Sequence, residues 1–224
     1  MTVIDNIKGE GLFMTRPIIE DLFYEMVINE DFETKALELI NNGIDINGFK
    51  EGKHGFNPVM FASYRGWLHQ VKFLVEHGAD INLRNQNGEN ALMASCMDRP
   101  SFVTFELTGI DRKKLQYATK IINEEYKKYR KESIYLERRE ILKYLISRGI
   151  NVTDLCYEYE YLHNASALDI YMLNPYMNDL SIIDLLMNSK VPLQANPEIF
   201  YSHSTPAIDL CLTRKLSYYK KRYK

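Results

Sequence analysis

Histidine and cysteine are the side chains that most often ligate metals or act as bases and nucleophiles near neutral pH. The five histidines, His54, His69, His77, His163 and His203, stand singly, and Cys96, Cys156 and Cys211 form no C-x-x-C pair. A zinc site needs several such ligands at short spacing, and no H-E-x-x-H puts two of them on one helix face. His69 and His77 lie eight residues apart, about two helical turns, too far to share an ion. A structural role is expected for each. Ser166 with Asp169, and Ser204 with Asp209, pair a nucleophile type with an acid. No G-x-S-x-G turn accompanies them, a serine ahead of an apolar helix is a natural N-cap, and an acid in a first turn favours the helix dipole. Neither G-x-x-x-x-G-K-S/T nor G-x-G-x-x-G is present. No catalytic residue, no metal and no cofactor is expected, and the chain is read as a non-enzyme.

Charge and composition narrow the remaining classes. Lys plus Arg number 28 against 30 Asp plus Glu, a formal charge of −2, so no global field draws nucleic acid or an anionic membrane. The stretch from Lys215 to Lys224 mixes basic residues with tyrosines, a combination that suits phosphate contact and base stacking, yet cations also belong at a helix C-terminus. Nucleic acid is therefore not the expected partner. Tyr157, Glu158, Tyr159, Glu160 and Tyr161 read either as a sticky acidic-aromatic loop or as a connection between structural units. With 46% hydrophobic and 26% charged residues the chain is expected to fold and bury a core. An odd cysteine count argues against a disulfide framework, and neither a secretory leader nor a run of about 18 apolar residues is seen. The expectation is a cytoplasmic protein, or one exported into a host cell by a route the sequence does not show.

What must position any functional residue is a repeat. From Gly55 to Asn82 the chain reads as helix, turn, helix and loop: Pro58 suits a first helical position, Gly66 breaks the chain, Val71, Leu74 and Val75 share a face, and Gly78 ends the second helix. The ending recurs as Leu39-Ile40 before Gly43, Leu74-Val75 before Gly78 and Leu145-Ile146 before Gly149. The beginning recurs at Gly55, Gly88, Asn164 and, more loosely, Thr205. Gly55 and Gly88 are 33 residues apart, a spacing found in stacked helical repeats.

These units resemble ankyrin repeats, most strongly from Gly55 to Asn90 and with gaps from about residue 17 onward. The resemblance implies an all-α solenoid of stacked helix–turn–helix units with short loop fingers. It divides the chain into an N-terminal segment (1–16) and a repeat domain (17–224), the latter made of an N-terminal cap (17–47), a repeat (54–83), an interrupted repeat (87–152), a repeat (163–193) and a C-terminal cap (204–224) whose second helix is brief or absent. The family's T-P-L-H stretch is represented by the segments starting at Asn57, Asn90, Ser166 and Pro206, none of which keeps the histidine. Its side-chain hydrogen bonds are expected to be absent or altered, leaving apolar stacking to hold the array.

The interruption is the most distinctive feature. Ala91 and Gly149 are 58 positions apart where Pro58 and Gly78 are 20, so about 38 residues are inserted within 97–138. Leu115, Ala118, Ile122, Tyr126 and Tyr129 recur at helical spacing, predicting an amphipathic helix from Asp111 to about Lys131 with a solvated or partner-binding charged face. The resemblance puts this insertion at the edge away from the fingers, clear of the concave surface. It also implies that partners meet finger tips and inner-helix positions: here Lys53, His54, Phe56, Phe61, Tyr64, Gln86, Glu89 and Met97, with Phe56, Phe61 and Tyr64 as the dominant contacts. The function so implied is binding of a protein partner through the concave face. An effector or viral factor acting on host proteins, or an enzyme accessory with a site at the insertion, are the other readings.

Overall fold

A computed structural model describes residues 18–28, 31–50, 55–97, 111–128, 133–159, 162–174, 177, 179–194 and 206–223. Helices α1 (Ile19–Ile28) and α2 (Phe32–Asn41) form the first pair, and α3 (Pro58–Arg65) and α4 (Leu68–Glu76) the second. In the third, α5 (Ala91–Cys96) and α7 (Ser133–Ser147) are separated by the inserted α6 (Arg112–Lys128). Strands β1 (Cys156–Tyr159) and β2 (Leu162–Ala165) precede the fourth pair, α8 (Ala167–Leu173) and α9 (Leu180–Asn188), and α10 (Pro206–Tyr223) follows. The first helices of the pairs stack in the order α1, α3, α5, α8, and α10 closes against α8 and α9. One apolar core runs through all of them, because each pair buries its faces on its neighbours.

Three of the inner helices, α3, α5 and α8, start on a side chain that accepts from an orphan N–H group. Asn57 Oδ1 accepts from the Met60 N–H at 2.9 Å, Asn90 Oδ1 from the Met93 N–H at 3.1 Å, and Ser166 Oγ from the Asp169 N–H at 3.1 Å. The side-chain bonding at these starts, expected to be absent or altered, is altered and not absent. Asparagine carries an oxygen that caps as threonine's does, and Asp169 returns the favour by accepting from the Ser166 N–H at 2.8 Å. The same carboxylate accepts the Gln194 N–H at 3.1 Å, tying α8 to the loop after α9.

Outer helices end in one recurring bond pattern. The N–H groups of Ile44, Ala79 and Ile150 reach back to Leu39, Leu74 and Leu145, while Gly43, Gly78 and Gly149 turn the chain at φ of +90°, +95° and +83°. A fourth copy, unrecognised in the sequence, ends α9: the Val191 N–H bonds Leu186 O, and Lys190 holds the turn at φ +65°. A Cβ in that conformation meets the following carbonyl at a cost of about 1–2 kcal/mol. Lys190→Gly is expected to raise stability by about 0.5–1 kcal/mol, since glycine's extra unfolded-state freedom offsets part of the relief. A urea midpoint that stays put or falls would show that the turn is not strained.

Inner helices end under donors from elsewhere. Gln70 of α4 donates to Met26 O at 2.9 Å, Arg138 of α7 to Tyr64 O and, at 2.6 Å, to Met97 O. Asn174 donates to Cys96 O at 3.0 Å, and Lys215 of α10 to Tyr171 O and Asn174 O at 2.7 and 2.6 Å. Carbonyls left open at α-helix C-termini are thus closed across the stack.

Two further expectations meet the structure differently, and a third is met. The chain is mostly helical, but the segment beginning at Cys156 forms an antiparallel hairpin with Cys156 opposite Ala165 and Glu158 opposite His163. Among the described residues no second helix follows in the C-terminal cap, in keeping with a second helix brief or absent, and the single α10 runs 18 residues. Its tail is engaged internally, because Tyr218 and Tyr223 donate to the Asp184 carboxylate at 2.7 and 2.5 Å and Arg222 lies 3.1 Å from it. Tyr223, Tyr218 and Arg222 together hold the Asp184 carboxyl below its ordinary range, against a smaller opposing effect of desolvation. A depressed carboxyl contributes stability above its unfolded pKa and loses it as pH falls through the folded value. Wild type and Asp184→Asn are therefore expected to differ in amide exchange along the last turns of α10 at pH 6, a difference that starts to shrink below about pH 4 and is gone once pH has fallen through the depressed folded value. A difference that persists in acid would sink this reading.

Candidate binding surface

The loops joining the pairs stand beside one another as fingers, and short asparagine and aspartate side chains shape each one. Asp45 Oδ1 accepts from the Asn47 N–H, Asp80 Oδ1 from Asn82 and Asn151 Oδ1 from Thr153, at 2.9, 2.8 and 3.1 Å. The same residues then link finger to finger. Asn47 Oδ1 accepts the Asp80 N–H at 2.8 Å, and Asn82 Oδ1 accepts the Asn151 N–H at 2.7 Å. Asn90 extends the link by donating to Asn151 O and Asp154 Oδ2 at 3.2 and 3.0 Å. A loop row bonded this way is a platform with little freedom left to lose on binding.

The second and third fingers are joined most firmly. Arg84 donates to Gly88 O at 3.0 Å and to Leu155 O at 2.5 Å, and its guanidinium lies 5.5 Å from the Tyr157 ring centroid. The Tyr157 N–H donates to Asn87 O at 2.8 Å, so β1 runs on from the second finger. Gly88 allows this closeness: at φ +77° a Cβ would come within 2.7 Å of Arg84 Nη2. Beneath, Asn85 donates to the buried Glu89 carboxylate at 2.6 Å. Burial, and then the Glu89 charge, push the Cys156 thiol up to about 12, and burial takes Cys96 to about 12 as well. Neither sulfur is a thiolate at neutral pH.

The residues expected to meet a partner are not brought to one surface. Gln86 is exposed at the tip of the second finger, and Phe56 is half-buried against the Tyr64 ring at 5.7 Å. Phe61 and Tyr64 are only 3% and 4% exposed, and Glu89 and Met97 are buried. Phe61 packs edge-on between Phe23 and Trp67, and Tyr64 lies under Arg138. Their expected accessibility is corrected: helical spacing places a residue on a face, whereas neighbouring elements decide whether the face is open. Lys53 and His54 lie outside the described residues. His77, expected to be structural, bonds Phe73 O at 2.7 Å and stacks on the Phe73 ring.

Accessible aromatics stand on the fingers instead, Phe49 at 40% and Tyr157 at 61% exposure. Phe49 and Arg84 occupy the same place in successive fingers, two residues after Asn47 and Asn82. That equivalence was present in the sequence once the D-I-N triplets were aligned, but an exposed phenylalanine in a loop carries no periodic signal.

The insertion is also placed differently from the expectation. Helix α6 does not keep to the edge of the third pair; it packs on α1, the inner helix of the first. Ala118 is fully buried there, with Leu115 and Ile121 half-buried beside it. The Lys114 ammonium lies 5.3 Å from the Tyr24 ring centroid. Burial raises the Glu25 carboxyl above its usual range, with Lys114 and then Lys35 opposing.

Residues 24–111 match a family model described as ankyrin repeats, in three copies. A protein of Rickettsia bellii (strain RML369-C), provisionally named an ankyrin repeat protein, is 38% identical over 81 residues, 35% of this chain and 12% of its own length. An Arabidopsis thaliana protein provisionally named E3 ubiquitin-protein ligase XBAT34 is 33% identical over 64 residues, 29% of this chain and 17% of its own. Both matches span a small part of the longer relatives. Among the described residues no helix is long and apolar enough to cross a membrane.

Proposed function

With residues 24–111 forming ankyrin repeats, a repeat that generally serves protein–protein interaction, we propose that this chain acts by binding a protein partner on its finger row and not by catalysis. The observation that carries this reading is the pair of exposed aromatics, Phe49 and Tyr157, set on fingers that are hydrogen-bonded to one another. Tyrosine and phenylalanine bury large area on binding and lose little side-chain entropy, and Arg84 over Tyr157 adds a cation to the same patch. Gln86 stands between them at the next finger tip. Inner-helix side chains make a smaller contribution than the sequence suggested, because Phe61 and Tyr64 are already covered.

The test is an affinity capture from native-like lysate with wild type beside the Phe49→Ala, Tyr157→Ala double variant. A protein held by wild type and lost from the variant is expected, with an affinity loss on the order of 30-fold or more if one ring is a dominant contact. Both substitutions lie at exposed positions, so far-ultraviolet circular dichroism should be unchanged. Equal retention by the two proteins would remove the finger row as the contact.

A further inference from the structure

Helix α10 closes the stack with one face inward and one face in solvent. Leu212, Lys215 and Leu216 are buried and Tyr219 and Tyr223 half-buried on the side that packs on α8 and α9. Thr213, Arg214, Ser217, Lys220, Lys221 and Arg222 are exposed. At about 100° per residue, Lys220, Thr213, Ser217, Lys221 and Arg214 follow one another round an arc of about 120°. The short Thr213 and Ser217 lie one turn apart along the middle of that arc, with Lys220 on one flank and Lys221 and Arg214 on the other.

Among the described residues Arg222 has an acid beside it, the Asp184 carboxylate at 3.1 Å, whereas no carboxylate lies within ion-pair distance of Arg214, Lys220 or Lys221. The whole of α10 carries five cations and one acid, so in a chain of formal charge −2 all other residues together hold −6. Positive charge is concentrated at one end of an otherwise acidic molecule, and an anion that settles there relieves repulsion among the cations. Tyr218 and Tyr223 have their hydroxyls on Asp184, and the Tyr219 ring is tilted on Tyr223 at 5.8 Å, so these rings are committed to packing and offer no platform for bases. No described residue of α10 is a large apolar side chain open to solvent, which leaves nothing to enter a bilayer. Arg214 and Lys221 are roughly 10 Å apart along the helix axis. A long polyanion would run past such a patch onto the acidic remainder of the molecule, whereas a short acidic segment stays within it.

We propose that the Thr213, Ser217 face of α10 is a docking surface for an acidic α-helix of a protein partner. Two short side chains one turn apart let a second helix come close, and the flanking cations meet carboxylates that the partner carries at i, i+3 or i+4, and i+7. Those charges set register and orientation, as they do along the edges of a coiled-coil seam. Affinity is modest and falls with salt, because each ion pair stays wet. The surface is separate from the finger row, so the Phe49, Tyr157 experiment can fail while this one succeeds, and the reverse.

Fluorescence anisotropy on the full chain decides it. The probe is a labelled alanine-based helical peptide of about 18 residues with glutamates at i, i+4 and i+7, and the same peptide with glutamine in their place is the control. At low salt the acidic peptide is expected to bind wild type, and to bind the Arg214→Gln, Lys220→Gln, Lys221→Gln variant at least about tenfold more weakly, while the glutamine peptide binds neither. Raising salt from about 0.05 to about 0.5 M should weaken the wild-type complex by a similar factor. All three substituted side chains are exposed, so the variant keeps its helical signal. Equal affinity of wild type and variant for the acidic peptide, or no binding at low salt, would overturn the proposal. Tighter binding of a single-stranded oligodeoxythymidine, or of phosphatidylserine-containing vesicles, through the same three side chains would overturn it too, because the face would then belong to another polyanion.

Discussion

Arg138→Ala is expected to lower the unfolding free energy by about 3–5 kcal/mol. The Arg138 side chain is 5% exposed and donates to two backbone carbonyls, Tyr64 O at the end of α3 and Met97 O just past α5. Its guanidinium also lies 5.8 Å from the Tyr64 ring centroid and 3.8 Å from the Met177 sulfur. Removing it leaves two buried carbonyls without this donor and opens a cavity among three helix pairs. The neighbouring Glu137 accepts from the Leu68 N–H at the start of α4, so the beginning of α7 closes both ends of the turn between α3 and α4. Urea unfolding followed by circular dichroism measures the loss. Arg138→Lys should recover only part of it, because a single ammonium does not reproduce the fork that spans two helix ends. A loss below about 1 kcal/mol for the alanine variant would mean the carbonyls find water or other donors at little cost.

Lys215→Met is expected to cost about 2–4 kcal/mol and to act first on α10. Lys215 is fully buried, and its ammonium donates to Tyr171 O and Asn174 O at 4.3 Å from the Tyr171 ring centroid. Methionine keeps most of the volume, so the effect isolates the two hydrogen bonds and the cation. Because those carbonyls end α8, their loss loosens the seat of α10 rather than the stack from α1 to α5. Limited proteolysis and amide exchange should show α10 released before the global transition. Protection of α10 equal to that of wild type would contradict this role. The residue sits in a basic tail that sequence reading divides between solvated helix end and phosphate contact, and its burial belongs to neither.

The repeat and its internal chemistry were legible in the sequence. Gly43, Gly78 and Gly149 stood at the left-handed turns, Pro58 and Gly66 bounded α3, and Leu115 and Ala118 marked one face of α6. Such features depend on neighbours a few residues away, where chain stiffness and hydrogen-bond geometry leave few choices. Even there two signals were missed. Lys190 did not look like a glycine position, although its neighbours Leu186 and Val191 form the same bond as the other three endings, and Asn57 and Asn90 did not look like caps beside a family pattern written with threonine.

What a side chain faces across the stack was decided by tertiary structure. Phe61 and Tyr64 have the spacing of an open inner-helix face and are closed over by Phe23, Trp67 and Arg138, from positions 38 residues before Phe61 to 74 after Tyr64. Phe49 and Tyr157, with no periodicity to mark them, are left in solvent at the finger tips. The insertion reads as an amphipathic helix from its own residues, but only packing turned its apolar stripe toward α1. The physical reason is one of range: periodicity, caps and turns are set by local backbone energetics, whereas burial is a sum over elements that meet only when the chain has stacked.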